Sequence, residues 1–379
     1  MRTDKNMSSK KKIAFIGIKA LPAKAGVDAV VQRIATSFDH ERFEPTVYVS
    51  SHEVPKETEI SGVRLIRVPS IPGKFTRATV TFLMAALHAL FLGDYDLVNI
   101  HSVETSFILP LLRLRYKVIA TSHGLHSLVP KEYNQWGKGI YFFKACEYPF
   151  MHLANIRTSV SLPDAEFLEK SYGREVKYLP IGIQLPDLKF DEAKAFLARH
   201  GLEPGNYMIF TAGRNIPRKG CHYVLEAMQE IDDEMPLLIL GDESFDPEYH
   251  RKLLSLADGR ARFGGFVTDK GLLFALIQMA NLFLFPTTYE AMAATLLEAA
   301  ALKTPLIASD LPENRAVLPN EALFFKSGDV DELREKMVWA LGHPREMHEL
   351  AGRAEAVVRS QFQWPRVIDQ YEELYEALA

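Results

Sequence analysis

The chain of 379 residues holds only two cysteines, no apolar run long enough for a membrane, and no GxGxxG glycine pattern. Cys146 and Cys221 lie far apart and match no CxxC or metal-ligand spacing. This argues against a disulfide framework and for two buried thiols in a reducing compartment. The longest apolar stretch, VTFLMAALHALFLG over residues 80–93, contains His88 and falls short of the ~18–20 residues that a bilayer span needs. Membrane contact, where present, is therefore expected to be peripheral. The opening MRTDKNMSSKKKIAFIGI sets basic residues before an apolar run of roughly 6, below the roughly 7–15 of a secretion signal. Lys19 follows without a small-residue cleavage site, so the stretch reads as a ragged tail and then a first strand. No short repeat or low-complexity segment occurs.

What is present is ordinary in bulk. Hydrophobic content of 47% and charged content of 24% suit a soluble globular protein, and the length favours two domains over one core. The net charge of −4 conceals a division: residues 1–180 carry 24 Lys+Arg against 17 Asp+Glu, the remainder 20 against 31. A basic front half suits an anionic surface or substrate, a membrane being favoured over nucleic acid. Excess charge spread over solvated faces fits the same numbers.

Short apolar, β-branched runs alternate with helical patterns. They fall at residues 12–18, 45–50, 63–68, 97–102, 117–123, 156–161 and 176–181, and restart at 207–213, 236–242, 261–267, 282–288 and 305–310. This alternation predicts an α/β protein with two doubly wound parallel sheets covered on both faces, joined near residues 181–190. The last stretch, WPRVIDQYEELYEALA, begins with Pro365 near a helix start and spaces Val367, Ile368, Tyr371, Leu374 and Tyr375 along one helical stripe. It packs on its own domain or clasps the other.

Chemistry concentrates at two strand-to-helix junctions. TTYEAMAATLLEA, residues 287–299, carries Glu290 and Glu298, and TAGRNIPRKG, residues 211–220, carries Arg214 and Lys219. Arg214 offers a planar fork and Lys219 a point charge, the residue types used for phosphate oxygens, and the loop's amides add to that field. Glu290 lies just beyond a predicted strand end, where ligand sites open in parallel sheets. A helix starting near Thr295 would aim its amides at a phosphate, and the small Ala293 and Ala294 would let that backbone approach closely. Thr295 to Glu298 also reads as a capping box, which would make Glu298 structural.

In the front half, Gly26 stands where a loop meets a helix, and His123 ends a strand, as does His101; His126 follows shortly. The pair Asp94 and Asp96 flanks Tyr95 ahead of a strand, at the sheet end away from ligands, so metal binding there is not expected.

Taken together, the chain resembles the group 1 (family 4) retaining glycosyltransferases of the GT-B fold. The match is carried by PAKAG, TSHGLH, GRNIPRKG, LILGD, GGFV, FPTTYEAMAATLLEAAALKTPLIASDLPE and the Tyr-rich terminal helix, which together run along nearly the whole chain. The resemblance implies two Rossmann-like domains, residues 1–182 on the acceptor side and 183–363 binding the donor. A helix over 364–379 would then be able to cross back to the first. It implies a nucleotide-sugar donor, UDP- or GDP-linked, in an interdomain cleft. Arg214 and Lys219 would grip the diphosphate, Glu298 the ribose and Glu290 the transferred sugar. Backbone amides near Ala293, Ala294 and Thr295 would touch phosphate, and the main chain at Val267 the base. His123 would sit beside the sugar, and Gly26 would line the phosphate and acceptor loop. No metal and no other cofactor is implied, because fixed cations and helix termini stabilise the leaving diphosphate.

Three departures bear on donor identity more than on fold. The family usually has two glycines where Ala25-Gly26 stands, Gly-Phe-Gly where Ala291, Met292 and Ala293 stand, and Asn-Gly-(Val/Ile)-Asp where Ile181, Gly182, Ile183 and Gln184 stand. The expected protein is a cytoplasmic, metal-independent, retaining glycosyltransferase of cell-envelope or exopolysaccharide synthesis, acting on a glycan or lipid-linked acceptor. The basic residues Arg2, Lys5, Lys10, Lys11 and Lys12 and the apolar 73–92 region add an expected peripheral contact with an anionic membrane; no nucleic acid partner is expected. Two alternatives stand beside it. One is a nucleotide-sugar epimerase of the same architecture, for which the front half offers only the isolated Glu104 and Glu132. The other is a non-catalytic nucleotide-sugar-binding subunit.

Overall fold

Every β-branched run anticipated from the sequence forms a strand in the computed structural model, which describes residues 10–23, 26–71, 73, 76–130 and 137–378. By contacts the chain divides into two compact units, Met1–Ile181 with Pro365–Ala379, and Gly182–Trp364.

The first unit holds β1 (Lys11–Ile16), β2 (Phe43–Ser50), β3 (Arg64–Val68), β4 (Leu97–His101), β5 (Lys117–Ser122), β6 (Ile156–Ser159) and β7 (Lys177–Tyr178). All pair in parallel, in the order β3-β2-β1-β4-β5-β6-β7. Helices cover both faces, so central strands are buried throughout; β4 (LVNIH) exposes no residue. Ile16, Ile100, Val118 and Ala120 pack with Phe82, Ala85, Ala86 and Ala89 of the helix Thr76–Leu92 and with Phe150 and Met151.

The second unit holds β8 (Met208–Arg214), β9 (Leu237–Asp242), β10 (Ala261–Phe263), β11 (Leu282–Phe285), β12 (Leu306–Ser309) and β13 (Leu323–Phe325), again all parallel, in the order β10-β9-β8-β11-β12-β13. The sequence pattern anticipated all of these but β13, an edge strand of only three residues. Each sheet reverses its winding once, between β1 and β4 and between β8 and β11. A parallel sheet opens a crevice at such a reversal, outside the carboxyl ends of the two strands.

The helix Trp364–Leu378 belongs to the first unit. Its Tyr371 and Tyr375 are buried. Asn99 Nδ2 donates to the Tyr375 hydroxyl at 2.6 Å, and Glu372 accepts from Asp39 N and from the Arg42 guanidinium, each at 2.8 Å.

Part of the basic opening stretch is tied into the fold. Lys11 and Lys12 lie in β1, where Lys11 Nζ donates to Glu376 O at 3.2 Å and Lys12 Nζ pairs with Asp94 at 2.6 Å. Asp96 accepts from Lys12 N at 2.7 Å and Tyr95 bonds the Tyr48 hydroxyl at 2.9 Å, so the Asp94/Asp96 pair fastens the start of β4 to β1. Arg2, Lys5, Ala25 and Glu132 lie outside the described residues. Among the described residues, no helix is long and apolar enough to cross a membrane.

Candidate active site

In the second unit, the loops that follow β8 and β11 meet at the winding reversal. The turn Pro217–Lys219 ends on Gly220, whose φ of +76° suits glycine. A Cβ there would lie 2.0 Å from Pro286 O, so only glycine lets the β8 loop press against the β11 loop. Hydrogen bonds then stitch the two: Thr288 N to Arg218 O at 2.9 Å and the Arg218 guanidinium to Tyr289 O at 3.0 Å. Ser309 Oγ donates to Thr287 O from β12.

On this frame the Lys219 ammonium pairs with Glu290 Oε1, which also accepts from Thr287 Oγ1 at 3.0 Å. Glu290 is buried and Lys219 mostly so. A carboxylate held between an ammonium and a hydroxyl in a dehydrated setting is fixed in position and charge. Glu313, not singled out in the sequence, has its carboxyl pushed up by burial and secondarily by the Glu290 charge.

The helix that follows is Ala294–Ala301, one residue earlier than expected. Thr295 lies inside its first turn and Ala293 is the N-cap, with no side-chain cap bond. The capping-box reading of Thr295 and Glu298 is thus overturned. Three other helices of this unit take an aspartate cap, from Asp246, Asp269 and Asp329. Ala294 N donates to Met292 O at 2.9 Å, and the Thr295 amide, with no side-chain cap, leaves the positive end of this helix available to an anion. Glu298 faces Lys270 instead, with Nζ and Oε1 3.6 Å apart, and burial raises its carboxyl against that ammonium's pull.

Arg214 is exposed, its guanidinium lying 4.7 Å over the Phe245 ring. The structure therefore joins Lys219 with Glu290 and rests the Arg214 guanidinium on an aromatic ring. Asn215 beside it is buried with neither side-chain amide atom paired. Val267 is half-buried just past the main chain that β9 pins, through Gly264 N to Ile239 O and Gly241 N to Gly265 O, both 2.9 Å.

In the first unit, His123 follows β5 and pairs with His101 at the end of β4, Nε2 to Nδ1 at 2.9 Å. Burial pushes His123 down to about 4 and His101 well below its ordinary value, so both rings are neutral. His101 Nε2 is buried without a partner. A proton there would be an orphaned donor, so His101 carries it on Nδ1 and donates to His123 Nε2. His123 then keeps its own proton on Nδ1, as a donor of fixed direction. His126 lies 3.6 Å from Glu104 Oε2. Burial opposes the charge of each, and their attraction prevails, lowering Glu104 and raising His126. Gly26 opens the helix Gly26–Ser37 with φ +66°, and among the described residues nothing lies within 4 Å of where its Cβ would be, so conformation selects glycine there.

Sequence reasoning missed Thr287, Arg218 and Glu313. Arg218 was visible within the same basic turn. Thr287 and Glu313 act through the fold of the β11 and β12 loops, which no local pattern announces.

Comparison with known proteins follows this division. A family model described as "Glycosyl transferases group 1" matches residues 206–343, and one described as "Glycosyltransferase Family 4" matches residues 25–185. A phosphatidyl-myo-inositol mannosyltransferase of Mycobacterium leprae is 27% identical over 296 residues, covering 76% of this chain and 75% of that protein. An MMP alpha-(1->4)-mannosyltransferase of Mycolicibacterium hassiacum is 24% identical over 306 residues, covering 75% and 71%. Among solved structures, sucrose-phosphate synthase from Thermosynechococcus elongatus superposes with a TM-score of 0.78 at 20% identity, covering 97% of this chain and 99% of that one. Anabaena HepE, in complex with UDP and glucose, gives 0.77 at 15%, covering 97% and 100%. Their shared fold is the one built above, and with both family models matching in order along it, the chain belongs to the group 1, family 4 glycosyltransferases.

Proposed function

We propose that this glycosyltransferase moves a hexosyl group from a nucleotide sugar to a glycan or lipid-linked acceptor in cell-envelope or exopolysaccharide synthesis, with retention at the anomeric carbon and without a metal. The carrying observation is the Lys219–Glu290–Thr287 cluster, which precedes an uncapped helix N-terminus at the winding reversal of the second sheet. Relatives named as mannosyltransferases support a hexosyl donor, and the neighbour that binds UDP and glucose supports a nucleoside diphosphate, UDP- or GDP-linked.

In this reading Lys219, Arg214 and the amides near Ala293, Ala294 and Thr295 receive the diphosphate, and Glu298 the ribose. Gly26 lines the loop near the phosphate and acceptor, and the main chain at Val267 contacts the base. Glu290 and the Nδ1–H of His123 bond hydroxyls of the sugar. The bond from the anomeric carbon to phosphate oxygen breaks as the acceptor oxygen bonds that carbon from the same face, and the acceptor's proton passes to a phosphate oxygen. Charge grows on the leaving diphosphate, where preset donors contribute most to rate. Nothing observed favours the epimerase or the non-catalytic subunit.

A thermal-shift screen of UDP-, GDP-, ADP- and dTDP-sugars tests the donor; ligand at 100 times its Kd should stabilise by about 2.7 kcal/mol. Glu290→Ala should keep nucleotide binding and lose turnover. Shifts with none of the four, or full turnover in that variant, would refute the reading. Membrane contact is proposed through the exposed Leu83, Phe91 and Leu92 of the helix Thr76–Leu92, and liposome binding with and without anionic lipid tests it.

A further inference from the structure

The first unit encloses a cavity of about 540 Å³ that the donor chemistry leaves unused. It opens at the winding reversal of that sheet, reaching Gly17 beyond β1 and Ser102 beyond β4. Four phenylalanines line it: Phe82, Phe107, Phe142 and Phe143. Phe107 and Phe142 lie 6.0 Å apart by ring centroids, as do Phe142 and Phe143, and the His126 ring lies 5.1 Å from Phe143. Two carboxylates reach the wall, Asp28 and Glu104. Asp28 already accepts from Lys19 N at 3.4 Å and Ala20 N at 3.3 Å. Glu104 is half-buried, charged, and steadied by His126 behind it.

We propose that this cavity seats the hydrocarbon part of a neutral amphiphilic acceptor, an alkyl, isoprenoid or aryl group bearing a hydroxyl or a sugar, whose hydroxyl donates to Glu104. Among the described residues four phenylalanine rings form one side of the wall, with Asp28, Glu104 and the hydroxyls of Thr79 and Ser102 as its polar part; that aromatic side suits a hydrocarbon better than a bare sugar, which must satisfy several hydroxyls at once. Charge selects further: among the described residues, an anionic group inside would meet Asp28 and Glu104 with Lys19 as the single lining cation. Any phosphate on the acceptor therefore lies outside the cavity. The assignment rests on the glycosyltransferase reading and adds the acceptor's class to it.

The test uses the whole chain and methyl, butyl and octyl glucosides below micelle concentration, with binding followed by calorimetry and transfer by product release. Affinity should rise with chain length by about four-fold for each methylene that enters the cavity. Phe107→Ala combined with Phe142→Ala should flatten that dependence; Phe142 is 43% exposed, so its truncation spares the core. Glu104→Gln should weaken all three glucosides alike by several-fold while keeping the chain-length slope. Equal affinity for methyl and octyl glucoside, or an unchanged slope in the double variant, would overturn the proposal. Should octyl glucoside bind as described while no nucleotide sugar is consumed, the cavity stands and the transferase reading falls.

Discussion

Lys219 and Glu290 cannot be judged separately, because each sets the other's surroundings. Lys219→Ala leaves a buried carboxylate with Thr287 as its remaining bonded partner, and should cost roughly 2–4 kcal/mol of second-unit stability, with turnover falling at least ~100-fold. Glu290→Gln keeps shape and the Thr287 bond, so it should cost under ~2 kcal/mol while abolishing turnover as fully. Urea melts and steady-state rates on both variants check the asymmetry; equal stability losses would contradict it. The histidine pair makes a prediction of opposite character. Because folding lowers both pKa values, the unfolded chain binds more protons below about 6.5, so the pair's stabilisation is complete above that pH. It is lost as pH falls toward about 4. His126, raised by Glu104, opposes the trend in the same window. The comparison that isolates the pair is thus Tm against pH for the native chain and for His101→Phe with His123→Gln, the variant being flatter between pH 6.5 and 4.5. Nitrogen NMR should find His123 protonated on Nδ1 at neutral pH, and a mixture of tautomers once His101 is phenylalanine.

At the scale of elements, the loop after β8 and the loop after β11 behave as one part. Gly220→Ala would force a left-handed φ on alanine and drive its Cβ onto Pro286 O, so a loss of about 3 kcal/mol or more is expected, with nucleotide binding weakened as the loops part. Chemical denaturation with and without UDP reads both effects, and an unperturbed variant would mean the loops are not coupled. This is also where the sequence spoke most clearly. Strand–helix alternation and the two strand-to-helix junctions that bring Lys219 and Glu290 together were legible, because short-range pattern sets them. Three things were not. The start of Ala294–Ala301 lay hidden behind a cap-like Thr295, since a helix start is fixed by where the preceding loop is tied. Arg214 resting on Phe245 and Lys270 facing Glu298 are contacts between elements distant in sequence. The strand β13 was too short to show a period.

For the molecule as a whole, the division at Gly182 and Trp364 makes the second unit a continuous segment with its own sheet and core. Residues 182–364 expressed alone should therefore fold and bind the nucleotide diphosphate within about ten-fold of the full chain, since every group proposed for it except Gly26 lies there. Calorimetry on the fragment tests this. Failure to bind while folded would show that the first unit contributes to nucleotide affinity. The first unit, by contrast, is discontinuous and needs its last helix: deleting residues 365–379 removes Tyr371 and Tyr375 from its core and leaves Asn99 Nδ2 without its Tyr375 partner. Such a truncation should lower the first unit's melting transition by many degrees and leave the second unit's unchanged.

The two ends of the second unit lie side by side: Gly182 has no room for a Cβ against Trp364, Ile183 N donates to Phe362 O at 2.6 Å, and Ile183 is bridged to Gln363. A segment whose entrance and exit touch is topologically a cassette. It can be lifted out and Ile181 rejoined to Pro365 by a short linker, or exchanged for the matching segment of a relative, without rethreading the host. Under the proposed assignment of donor and acceptor to the two units, variation in each would be free to proceed on separate stretches of the gene.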